Sequence, residues 1–84
     1  MVDLPNVDYD SEFKKSFKKL DKSVKIKVNK QVLKIINRPT IGKPMKHSRK
    51  GTRELYISPF SLSYKYYPDK NLIVFLKVYH KDEQ

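Results

Sequence analysis

The sequence predicts an α+β domain in the order β-α-α-β-β-β, with an N-terminal helix hairpin packed on a mainly antiparallel sheet. Three observations predict it. Apolar residues from Phe13 to Ile36 recur at helical spacing and stop before Pro39. From Arg53 onward they fall in three strand-like runs, separated by Pro59 and by Pro68-Asp69-Lys70-Asn71. A chain of 84 residues buries only about 60–65% of its unfolded surface, which leaves room for one small core and one domain over 1–84.

Residues 1–10 read as a partly ordered tail, or as an edge strand over Asn6 to Asp10, ending where Asp10 or Ser11 can cap a helix. Phe13, Phe17 and Leu20 line one side of that helix, with Lys14, Lys15, Lys18 and Lys19 on the other. Asp21 is placed to cap the second helix, in which Val24, Val28, Val32, Ile35 and Ile36 share a face opposite Lys27, Lys30 and Lys34. Pro39 ends it by disfavouring helical geometry at Arg38 and by lacking a backbone donor. The hairpin thus spans 11–37. Residues 38–52, with Gly42, Pro44 and no clear period, read as a basic loop. A three-stranded sheet over 53–80 follows: Arg53 to Ser58, Phe60 to Tyr67 and Leu72 to Tyr79. The last run, "LIVFLKVY", is apolar on both faces and so reads as a central strand.

The net charge of +10 is unevenly placed. Residues 1–12 carry four acids and no base, residues 13–53 carry fifteen bases against Asp21 alone, and residues 54–84 carry equal numbers of each. Such a one-sided field attracts polyanions, phosphate backbones foremost, although helical lysines also serve simply as a solvated face. Without cysteine the chain forms no disulfide and no thiolate metal site, which fits the cytoplasm. Its acidic N-terminal stretch is unlike a signal peptide, and no apolar run approaches a membrane span. Two histidines without a histidine–carboxylate motif make no metal site, and Gly42 and Gly51 are too far apart for a phosphate-cradling loop. No metal, cofactor or membrane is expected.

The stretch "FKKSFKKLDKSVKIKVNKQVLKIINRPTIGKPMKHSRKGTRELYI" resembles the RelE/ParE toxin superfamily. Members of that superfamily carry a helix hairpin of the type F-x-K-x-x-K-L-x-x-x-V, then "NP-x-x-GKPL", then "GLRELR". "FSLSYKY" is similar to the family's "YRLIYEV", and "VYHKDEQ" to its C-terminal "xxHRKDVY". The order and spacing of these pieces, more than any one of them, carry the likeness. The resemblance implies a RelE-like, microbial-ribonuclease-type fold and a toxin of a type II toxin–antitoxin system. In the RelE branch the toxin enters the ribosomal A site and cleaves messenger RNA without a metal, driving the ribose 2′-hydroxyl onto the adjacent phosphate. Such a step needs a base for the hydroxyl, cations for charge on phosphorus, and an acid for the leaving 5′-oxygen.

Carried over residue by residue, the resemblance implies a catalytic role for His80, which matches the C-terminal histidine, and for Lys81, which stands where the family has arginine. Arg53 matches the arginine of "REL" and is the first choice for a phosphate contact, with an ion pair as the alternative. Tyr56 and Glu54 share a strand face, giving a base-stacking platform and either a general base or a lysine partner. Alternation puts Arg53 with Leu55 and Ile57 on the other face, unless a bulge intervenes. Lys43, Lys46, His47, Arg49 and Lys50 are the RNA-binding candidates of the basic loop. The chain departs from the family at Ser61, where arginine is common, at Tyr56, where a basic residue is common, and at Gln84, which comes before the terminal tyrosine of some members.

The reading is therefore a ribosome-dependent messenger RNA endonuclease neutralised by a cognate antitoxin, with operator DNA contacted only as the toxin–antitoxin complex. The alternative is a non-nuclease toxin of the ParE type acting on DNA gyrase, or a degenerate toxin that keeps only RNA or antitoxin binding. Ser61, Tyr56 and the missing tyrosine favour that alternative.

Overall fold

Asp10 opens the first helix as its side chain accepts the Glu12 N–H at 3.0 Å, satisfying a donor that the first turn leaves unpaired. The computed structural model describes residues 4–45 and 51–83. Its elements are β1 (Asn6–Tyr9), α1 (Ser11–Lys18), α2 (Lys22–Asn37), β2 (Lys43–Pro44), β3 (Thr52–Ile57), β4 (Phe60–Tyr67) and β5 (Leu72–His80). Single 3₁₀ turns, Pro68–Lys70 and Lys81–Glu83, follow β4 and β5. Asp21 occupies the N-cap position of α2 with extended backbone, but its side chain makes no capping bond; its carbonyl accepts the Lys25 N–H instead. At the other end the Arg38 N–H still reaches Lys34 O before Pro39 turns the chain away.

Among the described residues the sheet has five strands in the order β1-β5-β4-β3-β2, two more than the three-stranded core read from 53–80. β1 joins the edge parallel to β5, and every other pairing is antiparallel. β5 lies inside the sheet between β1 and β4, one place from the edge, and β4 holds the middle. Within the segment read as loop, Lys43 and Pro44 pair with Glu54 and Arg53. A strand of two residues has no periodicity to detect.

The helix hairpin covers one face of the sheet. Phe13, Val28, Val32 and Ile35 from the helices meet Ile57, Leu62, Tyr64, Ile73, Phe75 and Val78 from the strands, all buried. Burying side chains of this size contributes about 1.5–3 kcal/mol each, and here they form the one core that so short a chain allows. Phe75 is its hub, with the rings of Tyr9, Phe13 and Tyr64 all within 6.0 Å of its own. Ser16 ties α1 to β5 by accepting the Val78 N–H at 3.0 Å while donating to the Glu12 carbonyl at 2.8 Å.

One irregularity decides which residues reach the uncovered face. Ser63 pairs with Lys77 but Tyr64 pairs with Phe75, so Leu76 is the extra residue of a β-bulge. Strand alternation carried on from buried Phe75 would put Tyr79 toward the helices and His80 on the open face. The bulge reverses that: Tyr79 pairs with Ser61, and His80 with Phe60 on the helix side.

Candidate functional site

No bulge interrupts the β3–β4 pairing, so the alternation expected along β3 holds. Arg53, Leu55 and Ile57 point toward the helices, and Glu54 and Tyr56 point to the open face, opposite Ser63 and Ser61.

The open face carries a compact polar cluster. One oxygen of Glu54, Oε1, accepts from Ser61 Oγ at 2.6 Å and from Lys81 Nζ at 2.6 Å. Ser61 is fully buried, and the side chains of Glu54 and Lys81 are 16% and 37% exposed. Burial raises the Glu54 carboxyl, but hydrogen bonds from Lys81, Ser61 and Tyr79, with the Lys81 charge, outweigh it and hold the group below its ordinary value. The hydrogen bond to Glu54 raises Lys81 against the opposing effect of desolvation. Beside this cluster Tyr56 stands 57% exposed, its hydroxyl donating to Ser58 Oγ at a long 3.3 Å. Glu54, Tyr56 and Lys81 join Ile41, Lys43, Pro44, Met45 and Leu55 to line a groove of about 660 Å³.

Arg53 and His80 are elsewhere. Arg53 donates from Nη1 to the carbonyls of Gly42 at 2.7 Å and Thr40 at 3.2 Å. Tyr64 completes this lock on the chain between α2 and β2: its hydroxyl donates to Pro39 O at 2.7 Å and accepts the Gly42 N–H at 2.9 Å. His80 packs edge-on against Phe60, with ring centroids 5.3 Å apart, and its Nδ1 accepts the Asp82 N–H at 3.2 Å. It borders a separate groove with Glu12, Lys15, Ser16, Lys19 and Asp21 of the helix hairpin. The structure therefore groups Glu54, Tyr56, Lys81 and Lys43, and separates them from His80 and Arg53. Lys46, His47, Arg49 and Lys50 lie outside the described residues. Sequence reading noted Ser61 only for the arginine it replaces; its place under Glu54 follows from strand register, for which the only signal was its parity with Tyr56 across the β3–β4 turn.

The Glu54–Lys81 pair implies a two-sided pH dependence of stability. For Glu54, whose carboxyl lies below the ordinary 4.5, the contribution is complete above that value and is lost as pH falls through the lowered folded-state value. For Lys81, raised above 10.5, the contribution is complete below that value and lost as pH rises through the raised one. Thermal melts of Glu54→Gln from neutral to acid pH should show a shallower decline than wild type. Parallel acid limbs would contradict the assignment.

The same architecture occurs in solved toxin structures. No protein-family model matches the sequence, and no curated protein sequence matches it. Among solved structures, a chain of the Mycobacterium tuberculosis RelBE2 toxin–antitoxin complex superposes with a TM-score of 0.82 at 20% identity, over 93% of this chain and 99% of that one. The intact Escherichia coli RelBE toxin–antitoxin complex gives 0.77 at 18% identity, over 88% and 93%. YafQ from Escherichia coli strain BL21(DE3) gives 0.70 at 26% identity, over 94% and 96%. Two helices on a five-stranded mixed sheet, among the described residues, are the fold that these RelE-like toxin structures share. These likenesses show the fold, and they agree with the resemblance that the sequence motifs carry.

Proposed function

We propose that this chain is the toxin of a toxin–antitoxin pair and acts as a metal-independent endoribonuclease on messenger RNA in the ribosome, restrained by a cognate antitoxin. The observation that carries the reading is the open-face groove, where an exposed aromatic ring, a carboxylate and two lysines adjoin on a domain of the RelE-like fold. Tyr56 offers a stacking surface for a base, while Lys43 and Lys81 supply positive charge to the backbone. In the cleavage step Glu54 accepts the proton of the ribose 2′-hydroxyl as the 2′-oxygen bonds to phosphorus. The bond from phosphorus to the 5′-oxygen breaks, and that oxygen takes the Tyr56 hydroxyl proton, leaving a 2′,3′-cyclic phosphate and a 5′-hydroxyl. His80 and Arg53 fall outside this assignment: Arg53 supports the turn between α2 and β2, and His80 belongs to the helix side.

Induction of the gene in a bacterial host, followed by mapping of message ends, tests the reading. Cuts inside codons of translated messages are expected, with cyclic-phosphate upstream ends. Intact messages during growth arrest would overturn it. One observation favours a second reading, in which the protein binds RNA or a protein target without cutting. Ser61 is buried beneath Glu54 at the position where the family pattern has arginine, so no guanidinium enters the groove from β4. Intact messages accompanied by DNA damage would identify DNA gyrase as the target.

A further inference from the structure

Two donors converge on a single carboxylate oxygen at the floor of the groove. Ser61 is fixed in the middle strand of the sheet with no solvent exposure, so its hydroxyl direction is set by the fold. Lys81 reaches the same point from the turn after β5, 27 residues along the chain from Glu54. A buried hydroxyl and an ammonium aimed at one oxygen form the donor set that a phosphate oxygen also takes. The Glu54 side chain hangs from β3, second from the sheet edge, and it lines the open groove.

We propose that Ser61 and Lys81 form a seat for a phosphodiester oxygen of RNA, and that the Glu54 carboxylate fills this seat until RNA displaces it. The inference deepens the proposed function and rests on RNA binding at this face. It gives Glu54 two successive roles. While seated, it neutralises Lys81 and prevents that charge from adding to affinity. Once displaced, it loses the hydrogen bonds and charge that hold its carboxyl low, and it gains a phosphate anion as neighbour. Both changes raise its basicity, suiting it to accept the 2′-hydroxyl proton only after the phosphate is in place. RNA entry would thereby arm the site.

Exchange of one anion for another on the same donors is nearly balanced. Lys81 should therefore contribute little net affinity while Glu54 is present and much more without it. A double-mutant cycle reads this directly. The probe is a single-stranded 2′-O-methyl RNA octamer, which lacks the attacking hydroxyl and cannot be cut, titrated against the full chain at several salt concentrations. Lys81→Met alone should weaken binding by less than about twofold, whereas Glu54→Gln should tighten it about 10- to 100-fold, the scale of one charge-assisted contact. Adding Lys81→Met to Glu54→Gln should abolish that gain. The dependence of log K on log salt should steepen by about 0.7 in Glu54→Gln, one phosphate contact on a single strand, and return in the double variant. Asp69→Asn removes the same charge from the β4–β5 turn and controls for net charge. Equal tightening by Asp69→Asn and Glu54→Gln overturns the proposal, as does an equal Lys81→Met effect in both backgrounds, or failure of Glu54→Gln to bind the octamer more tightly than wild type. The broader reading fails separately, through intact messages in the cut-site map.

Discussion

Gly42→Ala is expected to be among the most destabilising single substitutions in this protein. A Cβ at Gly42 would lie 2.6 Å from the Tyr64 hydroxyl oxygen and 2.8 Å from Tyr64 Cε1, both inside any tolerable contact. Tyr64 has no room to retreat, since it is fully buried and packed against Phe75. The new methyl group must therefore move the backbone, breaking the hydrogen bond from Gly42 N–H to Tyr64 and loosening the Arg53 contact with Gly42 O. Overpacking and an orphaned buried donor together cost about 2–4 kcal/mol. For a domain of this size that corresponds to a fall in melting temperature of about 10–30 °C. Calorimetry or a thermal melt followed by circular dichroism checks it. The groove should suffer in parallel, because Ile41, Lys43, Pro44 and Met45 adjoin Gly42 and form one wall. Tyr64→Phe removes the nearest clashing atom, so the two substitutions combined should cost less than their sum. A Gly42→Ala melt within a few degrees of wild type would show that the α2–β2 junction is softer than its contacts indicate. Gly51 makes the contrast: a Cβ there meets nothing within 4 Å, and its φ of +88° makes backbone strain the whole cost of substitution.

The lock at Gly42 also marks the limit of what could be read without a structure. The helices, β3 and β4 were legible because each repeats a period over six or more residues, and β5 because it is a continuous apolar run after a proline-containing turn. Burial of Leu62 and Tyr64 followed from the same alternation. The parts that build the site have no such signature. Arg53 finds its acceptors 11 and 13 residues upstream, in a segment that reads as loop. Glu54 meets Lys81 across β4, a juxtaposition that depends on sheet order. The clearest case is His80. Its match to a family motif implied a catalytic role but no strand face, and it is the bulge at Leu76 that turns it to the helix side and gives the open face to Tyr79. Because "LIVFLKVY" is apolar on both faces, no break in alternation betrays the bulge. Where a strand is hydrophobic throughout, pattern does not determine which residues share a face; pairing register does.

Tyr56 carries the largest expected functional effect. It stands exposed on the open face, so Tyr56→Ala should change stability by no more than about 0.5 kcal/mol. Loss of a stacking surface should nevertheless weaken binding of a single-stranded RNA by about 1–3 kcal/mol, or about 5- to 150-fold. Growth inhibition should fall accordingly, at unchanged protein level and melting temperature. Tyr56→Phe separates the ring from its hydroxyl. The phenyl ring still stacks, so affinity should stay within about twofold of wild type. If the hydroxyl supplies the proton to the leaving 5′-oxygen, cleavage by Tyr56→Phe should drop about 10²- to 10⁴-fold, the usual contribution of a positioned acid. Binding retained with cutting lost assigns the hydroxyl to chemistry. Both retained would confine Tyr56 to stacking and move proton donation to another group on the face. Wild-type growth arrest by Tyr56→Ala would remove the residue from the site altogether, and with it the reading of this groove as the RNA surface.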